Sequence, residues 1–68
     1  MSVQVRLNGE PRDLPDGATL DQAVAVLTPA AAGVAAAVNG DVVPRGSWAG
    51  TRLGDGDQVE VVTAVQGG

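Results

Sequence analysis

Two Asn-Gly dipeptides, Asn8-Gly9 and Asn39-Gly40, each close a run in which apolar residues fall at every second position. Asn-Gly is the pair best able to take the positive φ angles of a tight type I′ hairpin, and alternation with a period of two marks a strand with one buried face. Val3, Val5 and Leu7 precede the first dipeptide, and Val34, Ala36 and Val38 precede the second. The chain is therefore committed to two hairpins, and its 68 residues leave room for little more than what joins them.

The joining segment reads as a helix. Pro15-Asp16-Gly17 is a turn, and Thr19-Leu20-Asp21-Gln22 offers a capping box in which Thr19 starts the helix and Gln22 bonds back to it. Leu20, Ala23, Val24 and Leu27 form one apolar stripe at helical spacing, and Pro29 stops the helix within about three turns. Ala30-Ala31-Ala32-Gly33 suits either a helical end or a connector. In the first hairpin Glu10 to Leu14 is the return strand, and Pro11 places it at a sheet edge. In the second, Asp41-Val42-Val43 returns and Pro44 ends it.

From Gly46 to Gly54 the pattern is irregular and contains the one aromatic residue, Trp48, whose ring is expected to close an edge of the core. Asp55-Gly56-Asp57 then turns the chain into a last strand, Gln58 to Val65. The layout is α+β: a mixed sheet of about five strands with one main helix across one face, which is the β-grasp. Its first and last strands lie side by side. We expect residues 1–65 to form this domain and residues 66–68 to be a flexible Gly-Gly tail.

Composition removes most other possibilities. Apolar residues make up 44% of the chain and charged ones 18%, a balance that folds, with a core worth roughly 3–5 kcal/mol at this size. No cysteine is present, so disulfides and thiol chemistry on the chain are excluded. Histidine, lysine and tyrosine are absent too, which leaves Ser2, Ser47 and the threonines without a base to activate them and argues against an enzyme. The net charge is −4 with Arg6, Arg12, Arg45 and Arg52 scattered, so there is no basic patch for nucleic acid. The first residues lack the pattern of a secretory signal, and no stretch approaches the roughly 20 apolar residues that span a bilayer. A cytoplasmic location without membrane attachment is the expectation.

Few residues remain as candidate sites. Asp55-Gly56-Asp57 has too few oxygens nearby for a calcium or magnesium loop, and no metal is expected. The last strand is apolar on both faces near its end, with Val59, Val61 and Val65 on one and Val62 and Ala64 on the other. The second face is covered either by a neighbouring loop or by a partner docking beside the tail. Gly-rich ends are ordinarily frayed, yet Gly67 and Gly68 behind this fold have a chemical use. A carboxylate with no Cβ beside it can thread a narrow channel, and four or five extended residues reach about 15 Å into a partner. Ionised at neutral pH, it can attack the α-phosphate of ATP.

These blocks together resemble the ThiS family, the sulfur carriers of thiamin biosynthesis within the ubiquitin-like superfamily. The resemblance covers nearly the whole chain. It is carried by Val38-Asn39-Gly40, by Val43-Pro44-Arg45 with Trp48, by Leu53-Gly54-Asp55-Gly56-Asp57-Gln58-Val59-Glu60 and by Ala64-Val65-Gln66-Gly67-Gly68. It implies that a ThiF-like adenylyltransferase consumes ATP to activate Gly68, that a sulfur-delivering enzyme converts the adenylate to a thiocarboxylate, and that thiazole synthase receives the sulfur. No bound cofactor is implied. Gly67 and Gln66 would give the tail its access, Gln66 standing where related carriers often have a small residue; Pro44, Arg45 and Trp48 look specific to the thiamin branch and are, with Val62 and Ala64, the candidate partner-docking residues. Alternatives on the same fold are carriers for molybdopterin synthesis, tRNA thiolation or cysteine synthesis, a protein tag, and a ubiquitin-like interaction module that carries nothing.

Overall fold

Residues 1–28 and 33–63 are described by the structure, a computed structural model. Among them the chain forms β1 (Ser2–Leu7), β2 (Glu10–Pro15), α1 (Leu20–Leu27), β3 (Val34–Val38), β4 (Asp41–Val43), a 3-10 helix (Arg45–Gly50) and β5 (Gln58–Thr63). The strands make one sheet in the order β2-β1-β5-β3-β4, with β1 and β5 parallel and the other neighbours antiparallel.

Both hairpin turns form where the sequence puts them. Asn8 and Gly9 have φ of 52° and 86°, and Asn39 and Gly40 have 51° and 87°, the paired left-handed residues that match the twist of the flanking strands. β2 is an edge strand, and its prolines cost no ladder bond inside the sheet. α1 begins at Thr19, whose backbone N–H is accepted by the Gln22 side chain at 3.0 Å, the return half of the capping box. The Thr19 hydroxyl donates to Asp21. Thr28 leaves the helix in an extended conformation. The breaker expected at Pro29 and the ambiguous alanines 30–32 lie outside the described residues.

One face of the sheet and the helix stripe bury each other. Val5 and Leu7 of β1, Val59 and Val61 of β5, Ala36 of β3 and Leu14 of β2 meet Leu20, Ala23 and Val24 of α1. Trp48 and Leu53 close the core from the side. Each large side chain among them stabilises the fold by about 1.5–3 kcal/mol relative to exposure. Ala18 to Leu20 are tied to Thr51 to Leu53 by backbone bonds, Leu20 N–H to Thr51 C=O at 2.8 Å and Leu53 N–H to Ala18 C=O at 2.9 Å. These bonds hold the helix start to the segment after Trp48.

That segment departs from the sequence reading. Arg45–Gly50 is a 3-10 helix, where alternation and helical periodicity both gave an irregular stretch. Six residues are too few to display an apolar stripe, and the turn is held instead by Trp48. Its ring is 4% exposed, and its indole N–H donates to the Val43 carbonyl at 2.8 Å.

Candidate functional site

β5 is the strand that leads to the tail, and it lies in the middle of the sheet between β1 and β3. Its alternation decides what faces where. Val59 and Val61 point into the core at 1% and 9% exposure, whereas Val62 is 62% exposed on the opposite face. The described part of β5 ends at Thr63, so the expectations for Ala64, Val65, Gln66, Gly67 and Gly68, including the continuation of the strand to Val65, lie outside the described residues.

Val62 does not stand alone. Its partner in the register is Ala35, while Ala37 pairs with both Glu60 and Val42. Val42 is 75% exposed. Ala35, Ala37, Val42 and Val62 thus form an apolar area on the outer face of β5, β3 and β4, with the exposed Glu60 carboxylate among them. On the same face β1 and β2 carry Gln4, Arg6, Pro11 and Asp13, so the outer surface divides into a polar half and an apolar half along β5. An unburied valine pair over small alanines is the arrangement expected of a contact surface. Sequence reasoning found Val62 and missed Val42. Its signal was the adjacent Val42-Val43 in a strand with a period of two, which forces one of the pair outward.

β4 and β5 both run antiparallel to β3, so Pro44 and Arg45 leave the sheet at the same end as Thr63. Two strand spacings put them roughly 10 Å apart across the sheet. Pro44 and Arg45 are exposed. Trp48 is not: its ring is part of the core and offers no surface on which a partner can dock. Its direct contribution is to anchor the segment that presents Pro44 and Arg45.

The carboxylates of Asp55 and Asp57 each accept a backbone N–H. Asp55 Oδ1 accepts the Gln4 N–H at 2.6 Å, and Asp57 Oδ2 accepts the Gly54 N–H at 2.8 Å. Gly56, with φ of 86°, takes the left-handed step between them. The Asp-Gly-Asp motif is a turn that ties the start of β5 to Gln4 and Arg6 of β1. No group of three or more metal-ligating side chains occurs among the described residues, and no helix among them is long and apolar enough to cross a membrane.

Comparison with known proteins gives this arrangement a context. The ThiS family profile matches residues 5–68, from the second half of β1 through the other four strands to the glycine pair. The sulfur carrier protein ThiS of Escherichia coli (strain K12) is 32% identical over 66 residues, 97% of this chain and the whole of that protein. The crystal structure of the thiamine biosynthesis protein ThiS from Geobacter metallireducens superposes with a TM-score of 0.77 at 28% identity, covering 97% of this chain and all of that one. With the mixed sheet, the single main helix and these three matches in hand, the chain belongs to the ThiS family, small β-grasp proteins that carry sulfur and are not enzymes.

Proposed function

We propose that this protein carries sulfur as a thiocarboxylate on Gly68 and delivers it for thiazole formation in thiamin biosynthesis. One Gly68 carboxylate oxygen attacks the α-phosphate of ATP on a ThiF-like adenylyltransferase, releasing pyrophosphate and leaving an acyl-adenylate. A sulfur-delivering enzyme supplies the sulfur nucleophile, which displaces AMP, and thiazole synthase then takes the sulfur. ATP is consumed on the partner, and the carrier itself holds no cofactor. The setting is the cytoplasm.

The observation that carries this reading is the family match that extends through Gly67-Gly68, in a sequence with no histidine, cysteine, lysine or tyrosine for chemistry of its own. Discrimination among carriers with the same terminal atoms must come from the surface outside the tail, and Pro44 and Arg45 are exposed at the end of the sheet where Thr63 lies. The test is a paired reconstitution. Thiocarboxylated protein is expected to yield thiazole phosphate with thiazole synthase and no dithiolene product when it replaces the small subunit of molybdopterin synthase. Dithiolene without thiazole product overturns the pathway, and failure to form the thiocarboxylate overturns the carrier reading.

The apolar half of the outer face is the proposed docking surface for the adenylyltransferase. Val62→Asp is expected to leave the fold intact, since the side chain is 62% exposed, and to raise the KM for the carrier about tenfold or more. Circular dichroism and pyrophosphate release measured on the same preparation check this. A folded variant with unchanged KM places docking elsewhere.

A further inference from the structure

Backbone pairing between β1 and β5 covers Arg6 with Gln58 and Leu7 with Val59. Beyond Leu7 the chain turns into its hairpin, yet the contact with β5 continues through Asn8. Its backbone N–H donates to the Val59 carbonyl at 2.9 Å. Its side chain then reaches the next residue on that side of β5: Oδ1 accepts the Val61 N–H at 2.7 Å, and Nδ2 donates to the Val61 carbonyl at 3.1 Å. The N–H and C=O of one strand residue point to the same side, so Val61 turns both toward β1 and away from β3. A single planar amide takes the place that the next β1 residue would hold in the ladder.

Two demands meet at this position. The turn needs a residue that tolerates φ of 52°, and Val61 needs a donor and an acceptor on one short side chain. Glycine and aspartate meet the first, whereas asparagine meets both. The second hairpin makes a comparable contact at the other end of β5. Asn39, with φ of 51°, accepts the Gln58 N–H on Oδ1 at 3.0 Å and donates from Nδ2 to Asp57 Oδ1 at 3.1 Å. One hairpin asparagine therefore holds the entry to β5, and the other holds Val61, two residues before Thr63.

We propose that Asn8 is a positioning residue for the chemistry at Gly68, because its side chain fixes the direction in which β5 hands the chain to the tail. The proposal rests on the carrier reading given above. Without the clamp the end of β5 is held from the β3 side alone, and the tail starts from a broader range of directions. A displacement of about 1 Å at a reacting group can cost up to roughly a hundredfold in rate.

The test compares Asn8→Gly with Asn39→Gly. Both keep a turn-compatible residue and remove one side-chain clamp, but only the first touches the root of the tail. Hydrogen exchange of the Val61 amide and steady-state pyrophosphate release with a ThiF-like adenylyltransferase are measured on both, below both melting temperatures. We expect Asn8→Gly to lose Val61 protection and to lower kcat/KM about tenfold, and Asn39→Gly to stay within about twofold of wild type. Equal losses in the two variants, or losses that follow melting temperature alone, reduce Asn8 to a fold-stabilising residue and overturn the proposal. If Asn8→Gly does not fold, Asn8→Asp, which keeps the acceptor and the shape but loses the donor, takes its place in the same comparison. Wild-type protein that is never adenylated brings down the carrier reading and this proposal together; adenylated wild type with an unaffected Asn8 variant brings down this proposal alone.

Discussion

Deleting Gly68, or adding one alanine beyond it, is expected to abolish adenylation while leaving thermal unfolding unchanged. The two properties separate because they depend on different parts of the chain. The buried residues of β5, Val59 and Val61, are paired with Val38 and Ala36 of β3, respectively, well before the chain reaches its last glycine. One residue more or less moves the terminal carboxylate by about 3.5 Å. Attack on a phosphorus atom needs the oxygen within roughly 3–3.5 Å and in line, so such a shift takes the group out of reach. Pyrophosphate release with the adenylyltransferase and a thermal melt on each variant measure both sides. Adenylation retained in either variant removes Gly68 from the reaction.

The second large effect is on stability. Leu20→Ala is expected to remove most of the protein's stability and to leave a substantial unfolded fraction at 25 °C. Leu20 is fully buried at the start of α1, in contact with a core drawn from all the layers of the fold. Truncating such a leucine costs about 2–5 kcal/mol, and a domain of this size has roughly 3–5 kcal/mol in total with no disulfide to add to it. Urea titration followed by circular dichroism reads the change. A cooperative transition with its midpoint little moved contradicts the placement of Leu20 at the centre of the core.

The parts of the fold that were legible before any coordinates share a physical property: each is set by neighbours in sequence. The hairpins at Asn8-Gly9 and Asn39-Gly40 need only a local φ preference, and α1 needs a cap at Thr19 and a stripe through Leu20, Ala23 and Val24. The 3-10 turn at Arg45–Gly50 was not legible, because what stabilises it is the burial of Trp48 against elements distant in sequence. The outer apolar surface was half legible. Val62 was visible from the alternation of β5, but Val42 becomes its neighbour only through the pairing of both strands with β3, a matter of topology. The pair of hydrogen bonds between the Asn8 side chain and Val61 spans 53 residues, and no local pattern announces it.

The parallel neighbours β1 and β5 have one more consequence, a mechanical one. A force that draws the two ends of the chain apart acts along these strands in opposite directions. Their ladder bonds, Arg6 N–H to Asp57 C=O and Asn8 N–H to Val59 C=O among them, are then sheared together, where a hairpin pulled from its open end would lose them one at a time. Resistance to such a pull is a property of the unfolding rate and not of the equilibrium. A domain with only a few kcal/mol of stability can thus be stiff along β1 and β5 when its two ends are drawn apart.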